Sequence, residues 1–297
     1  MPRTAGRTTL PRSPRRAAST NGAKVVDPRR HSDTPSPELR SHSPPYDVPV
    51  SLSGRTALVT GATSGIGYAT AVHLAQQGAH VLASGRDADR GAQVVTEIRN
   101  AGGDADFLPA TLTDAASAHA LVEQALTVTG QIDILINNAA IAVFGPTAAI
   151  AEDDFDDCFD LNVKIPFFLV GATAPAMAKR GEGAIVNVST MVSMFGAAGS
   201  AVYASSKAAL NLLTKSWAAE YGPKGVRINA DAPGPTLTEG TTAQYGTDRL
   251  AALAAQAPAR RVADPTEIAR TIGFLVSEDA SFIHGAVLPA DGGRTAI

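Results

Sequence analysis

The sequence predicts a doubly wound α/β fold, and two observations carry that reading. From Arg55 onward, short apolar runs alternate with longer amphipathic stretches. This β-α-β-α rhythm closes into a parallel sheet through right-handed crossovers. The runs are also mostly apolar rather than alternating, as expected of strands covered by helices on both faces. In order, the strand candidates are TALVT (56–60), HVLAS (80–84), ADFLPA (105–110), IDILIN (132–137), GAIVNVS (183–189) and VRINA (226–230). Helices are expected over 66–77, 88–101, 114–129, 152–178 and 202–221. Ligands of such sheets bind beyond the carboxyl ends of the strands, so residues at those ends are the first candidates for a site.

The chain of 297 residues reads as one domain over 51–297, preceded by an extension over 1–50 that is rich in Arg, Pro and Ser and expected to be disordered. That extension holds nine Lys/Arg against four acids, a local charge of +5 that leaves −8 for the remainder. It has the composition of an organelle transit peptide or of a tail for anionic surfaces. The favoured reading is a dispensable leader. Cys158 is the only cysteine, which excludes an internal disulfide and a cysteine-built metal site and fits a reducing, cytoplasmic setting. No metal site is expected. A net charge of −3 gives no overall basic footprint for nucleic acid. No uninterrupted apolar run of about 18 residues suggests a membrane span.

The first strand candidate ends in TGATSGIG, Thr60 to Gly67. Glycines permit a tight turn and close approach of backbone to a ligand, and the following helix aims its first N–H groups at a phosphate. A glycine-rich turn alone is common. Placed directly after an apolar strand and opening a helix, it predicts a dinucleotide site over Gly61, Thr63, Ser64, Gly65, Ile66 and Gly67.

Further motifs follow in order: Asn137-Asn138-Ala139, Asn162, Tyr203-x-x-x-Lys207, Pro233-Gly234 and Asp291-Gly292-Gly293. With TGxxxGIG they resemble the classical short-chain dehydrogenases/reductases, of the 3-oxoacyl-reductase-like kind, from about Leu52 to Gly293. The resemblance implies a Rossmann fold with a seven-stranded sheet, a nicotinamide cofactor and hydride transfer between an alcohol and a carbonyl. It also implies a homotetramer or homodimer, and adds Thr111, Leu112, Asn138, Ala139, Pro233, Gly234 and Thr236 to the cofactor site. Three positions depart from the family pattern. Ala140 stands where a glycine is usual, Thr111 where an Asp often contacts adenine, and Asp231 where an apolar residue is expected.

Tyr203 and Lys207 are i and i+4 on an expected helix, so both project from one face. No side chain supplies a hydride, so a cofactor must. A phenol with pKa about 10 becomes a usable acid or base beside an ammonium and a positive nicotinamide ring. Tyr203 is therefore the proton donor in reduction, with Lys207 lowering its pKa and, by the resemblance, holding the nicotinamide ribose. Three hydroxyls, Ser189, Thr190 and Ser193, compete to polarise the carbonyl. The family's working Ser stands thirteen residues before the Tyr, which here is Thr190. Asn162, in the resembled family, offers a backbone carbonyl to a proton-relaying water. Pro166 lies four residues on and has no N–H for that carbonyl, so a kink and a free acceptor are expected there.

After the second strand come Ser84, Gly85 and Arg86, with no acid before Asp87. A hydroxyl and a guanidinium suit a 2′-phosphate, so NADP(H) is expected over NAD(H), which stays possible. The stretch PTLTEGTTAQYG and a helical patch to Ala257 should cover a small carbonyl or alcohol substrate. It contains no Arg cluster and no large aromatic box that would specify a substrate, and its shortness suggests a fairly open pocket. Two other readings stand beside the oxidoreductase: a catalytically silent dinucleotide-binding regulator, and a nucleotide-sugar epimerase-like enzyme.

Overall fold

Seven strands, all paired in parallel, form one sheet in the order β3-β2-β1-β4-β5-β6-β7 in the computed structural model, which describes residues 51–297. The strands are β1 (Thr56–Thr60), β2 (His80–Gly85), β3 (Asp104–Pro109), β4 (Ile134–Asn137), β5 (Gly183–Val188), β6 (Val226–Pro233) and β7 (Val287–Ala290). Helices α1 (Gly65–Gln76), α2 (Ala88–Asn100) and α9 (Pro265–Val276) cover one face; α3 (Ala115–Thr129), α5 (Ile165–Arg180) and α6 (Ala201–Tyr221) cover the other. Successive strand residues point to opposite layers. Ala57 and Val59 join the α1/α9 core and Leu58 joins the α3/α5/α6 core; Ile134 and Ile136 are likewise separated from Leu135. The expected disordered extension, 1–50, lies outside the described residues.

The chain reverses direction of sheet growth between β1 and β4, which are neighbours. A crevice opens beyond the strand ends at this switch point. Two expectations are corrected at element level. The helix expected over 152–178 is α4 (Glu152–Phe159), one π-helical turn (Asp160–Lys164) and α5. Pro166 explains the break, because it offers no N–H to Asn162 and the hydrogen-bond register widens around it. The short helices α7 (Glu239–Tyr245) and α8 (Thr247–Ala254) resolve the helical patch after Pro233.

Within Glu152–Arg180, an 18-residue window reaches a mean hydropathy of 1.3, which composition alone associates with a membrane crossing. Its apolar residues Ile165, Leu169, Val170 and Met177 are packed against the sheet instead.

Candidate active site

The glycine-rich turn is built for close approach. Gly61 and Gly65 hold φ of 65° and 55°, the left-handed region that glycine enters without strain. A side chain at Gly67 would overlap the Gly61 carbonyl, so Gly67 packs the turn and does not line the cleft. Ser64 begins α1 without a side-chain hydrogen bond to its first N–H groups, whereas α2, α3 and α9 are capped by Asp87, Asp114 and Asp264. The donors at the start of α1 are thus left for an anion. Asn138 braces the turn, its Nδ2 donating to the carbonyls of Thr60 (2.9 Å) and Gly61 (3.1 Å). Ala140 holds no positive φ, so its methyl group causes none of the backbone strain that the usual glycine there suggested.

A cleft of about 1130 Å³ collects nearly all the expected residues. Gly61, Thr63, Ser64, Gly65 and Ile66 form one wall, with Ser84 and Arg86 from the end of β2 and Thr111 and Leu112 from beyond β3. Asn138 and Ala139 follow β4, Thr190 follows β5, Tyr203 and Lys207 come from α6, and Pro233, Gly234 and Thr236 come from the end of β6 and beyond it. Ser84 is 1 % exposed, so its hydroxyl is less available than expected, while Arg86 is exposed and forms no ion pair among the described residues. Asp87, the nearest acid, is committed to capping α2, where it accepts from the Arg90 N–H at 3.0 Å. Volume, turn and uncapped helix together fit a dinucleotide with room for a substrate.

The three hydroxyls separate. Ser189 is buried and lies 3.3 Å from Ser193, whose hydroxyl donates to the Thr190 carbonyl at 2.6 Å and accepts from Asn211 Nδ2 at 2.8 Å. These serines secure the loop. The Thr190 hydroxyl lies close enough to Tyr203 to favour the ionised phenol. Burial nevertheless pushes the Tyr203 phenol well above its ordinary value, aided by the neighbouring Tyr245. Lys207 is 2 % exposed, donates to the Val188 carbonyl at 2.7 Å, and is lowered by burial to about 8.

Asn162 stands behind this pair rather than in the cleft. Its Oδ1 accepts from the Ile141 N–H (2.9 Å), and its Nδ2 donates to the Ile141 carbonyl (2.8 Å) and to Ser206 Oγ (3.0 Å). Ser206 in turn donates to the Tyr203 carbonyl at 2.7 Å. The π-turn, the loop after β4 and the catalytic face of α6 are thereby tied together. Cys158 completes the cluster, its sulfur 3.4 Å from Asn162 Nδ2. A second chain links Asn137 Nδ2 to Asn187 Oδ1 and Asn187 Nδ2 to Thr214 Oγ1, each at 2.8 Å, binding β4, β5 and α6.

The sequence concealed an aromatic wall. Phe144 packs its ring 5.3 Å from Tyr203 and 5.7 Å from Tyr245, so the aromatic box judged missing from the lid is shared between two distant segments. Asp231 lies inside β6, fully buried, its Oδ1 accepting from Thr271 at 2.9 Å and its Oδ2 without a partner.

This fold and cleft define a nicotinamide-dependent oxidoreductase. A family model described as enoyl-(acyl carrier protein) reductase matches residues 61–295. The chain is 36 % identical to the cyclopentanol dehydrogenase of Comamonas testosteroni over 246 residues, 82 % of this chain and 98 % of that one. It is also 36 % identical to the 3-oxoacyl-[acyl-carrier-protein] reductase of Thermotoga maritima over 242 residues, 82 % and 98 % of the two chains. A Beutenbergia cavernae crystal structure, described as an NAD(P)-dependent gluconate 5-dehydrogenase with NADP bound at low occupancy, is 40 % identical. It superposes with a TM-score of 0.80 over 84 % of this chain and 100 % of that one. The chain belongs to the short-chain dehydrogenase/reductase family and is an NAD(P)-dependent oxidoreductase acting on carbonyl and alcohol groups.

Proposed function

We propose that the protein is an NADP(H)-preferring carbonyl reductase or alcohol dehydrogenase in which Tyr203 carries the proton. The observation that carries this reading is the meeting of Thr190, Tyr203 and Lys207 in one cleft with the Gly61–Gly65 turn. When bound, the reduced nicotinamide supplies the hydride, two electrons with a proton's mass, to the carbonyl carbon. Tyr203 gives its proton to the carbonyl oxygen, so the product is the secondary alcohol; oxidation runs the same transfers backward. Thr190 donates a hydrogen bond to the oxygen as charge develops on it. Lys207 holds the ribose and, as a cation, favours the phenolate that Tyr203 becomes. Asn162 and Ser206 fix the helix that presents both groups, and the Asn162 carbonyl, which Pro166 cannot cap, accepts a proton-relaying water.

Arg86 is assigned to the 2′-phosphate, since it lines the cleft beside β2 with its charge uncompensated and Asp87 turned to its helix cap. Fluorescence titration is expected to give tighter binding of NADPH than NADH, with Arg86→Ala reducing the ratio about tenfold or more. An unchanged ratio contradicts the assignment. By the same reading the enzyme works in the cytoplasm as a homotetramer or homodimer.

A further inference from the structure

The cleft is also lined by residues not assigned to the cofactor. Phe144, Tyr245, Leu250 and Leu253 give it an apolar lining, and Arg249 of α8 lines it with them. The aromatic column runs from the Tyr203 ring to Phe144 (5.3 Å), from Phe144 to Tyr245 (5.7 Å) and from Tyr245 to the Arg249 guanidinium (5.6 Å). Leu250 is 2 % exposed and anchors α8, which leaves Arg249 accessible at the cleft.

Arg249 is one of six arginines among the described residues with no carboxylate within 4 Å, and of those six only Arg86 also lines the cleft. Arg55, Arg90, Arg99, Arg180 and Arg261 each lie within 4 Å of a carboxylate. Among the described residues Arg249 has only the Tyr245 ring, a weak cation–π contact at an exposed site. Its planar set of donors is therefore open to a carboxylate, which it matches in shape as well as charge. The acids that line the same cleft are Asp157 on α4 and Asp160 at the start of the π-helical turn, and Asp160 is paired with Lys164.

We propose that Arg249 anchors a carboxylate of the substrate. The substrates are then oxo- or hydroxy-acids whose carboxylate is separated from the reacting carbon by an apolar chain or ring. Two ring-to-ring contacts and one cation–ring contact join Tyr203 to the guanidinium, and Arg249 touches Tyr245 rather than Tyr203, which sets the carboxylate apart from the reacting carbon. Apolar atoms between the two ends lie against Phe144 and Tyr245. This rests on Tyr203 being the reacting end, as argued above. Arg249 exchanges no atom; the carbonyl carbon still takes the hydride and its oxygen the Tyr203 proton.

The test compares kcat/KM, with NADPH, for a long-chain oxo-acid whose carbonyl lies at the opposite end from its carboxylate and for the methyl ester of that compound. Wild-type protein is expected to favour the acid by about tenfold or more, the worth of a charge-assisted hydrogen bond. Arg249→Ala is expected to abolish that preference mainly through KM, and Arg249→Lys to keep part of it. Tyr203→Phe should stop turnover of both compounds. A wild-type protein that takes the ester as well as the acid, or a preference that survives Arg249→Ala, overturns the role of Arg249 while leaving the catalytic reading intact. Turnover of neither compound by protein that binds NADPH overturns the substrate class together with that reading.

Discussion

Thr190 and Ser189 are adjacent in sequence, yet only one is free to act. Ser189 is buried against Ser193, whereas Thr190 sits where its hydroxyl bears on the Tyr203 phenol. Thr190→Ala is expected to lower kcat about a hundredfold, the usual loss on removing one oxyanion donor, and Ser189→Ala to cost far less. The reverse ranking in steady-state assays would transfer the role to Ser189. Counting back thirteen residues from Tyr203, the offset of the resembled family, points to Thr190. Asp231 was not legible, because its partner Thr271 lies forty residues away on α9. Burial raises the Asp231 carboxyl to about 7. Between its unfolded value near 4 and that folded value, the native chain holds a proton that the unfolded chain has released. Stability is thus intact below the unfolded value and declines as pH rises toward the folded one. Asp231→Asn removes this loss, so its melting temperature should exceed that of the wild type more at about pH 8 than at about pH 5. The gain at the upper pH is on the order of 2–4 kcal/mol. An equal difference at both pH values contradicts the account.

At the scale of elements, the six strands read from the sequence are those with uniformly apolar runs, and the structure keeps them with shifts of a few residues at their ends. The seventh strand, VLPA, was not read individually, since it is short, only half-buried and contains Pro289 at the sheet edge. Helix α9 also went unread, although Asp264 and Pro265 form a capped start. Its C-terminal carbonyls are closed by Arg227, which donates to Leu275, Val276, Ser277 and Ala280, a pairing that only the fold brings about. Phe144 and Arg249 were missed for a similar reason. One stands on an irregular loop and the other on a two-turn helix, and no local spacing connects them. Consecutive helices α4, α5 and α6 expose Phe155, Phe167 and Leu212, 44 %, 47 % and 66 % accessible. Apolar side chains at this exposure are the expected seats of contact between copies. Sedimentation should find dimers or tetramers, which Phe167→Ser with Leu212→Ser weakens; a wild-type monomer at micromolar concentration contradicts this.

For the whole molecule, the sheet order explains why the motifs converge. Neighbouring β1 and β4 open the crevice, the uncapped α1 faces it from one side, and α6 brings Tyr203 and Lys207 to the other. Motifs separated by more than a hundred residues thus line one cleft, as the strand rhythm and the family resemblance together led one to expect. The substrate half was less legible, because the lid is assembled from short pieces whose placement depends on the rest of the fold. The central claim is that Tyr203 transfers the proton while the cleft binds the cofactor independently of it. The most direct measurement is NADPH-dependent carbonyl reduction by Tyr203→Phe, with NADPH affinity measured on the same protein. Turnover is expected to fall about 10²–10⁴-fold, the usual share of a general acid, with affinity for NADPH little changed. Turnover at the wild-type rate by Tyr203→Phe would contradict the account.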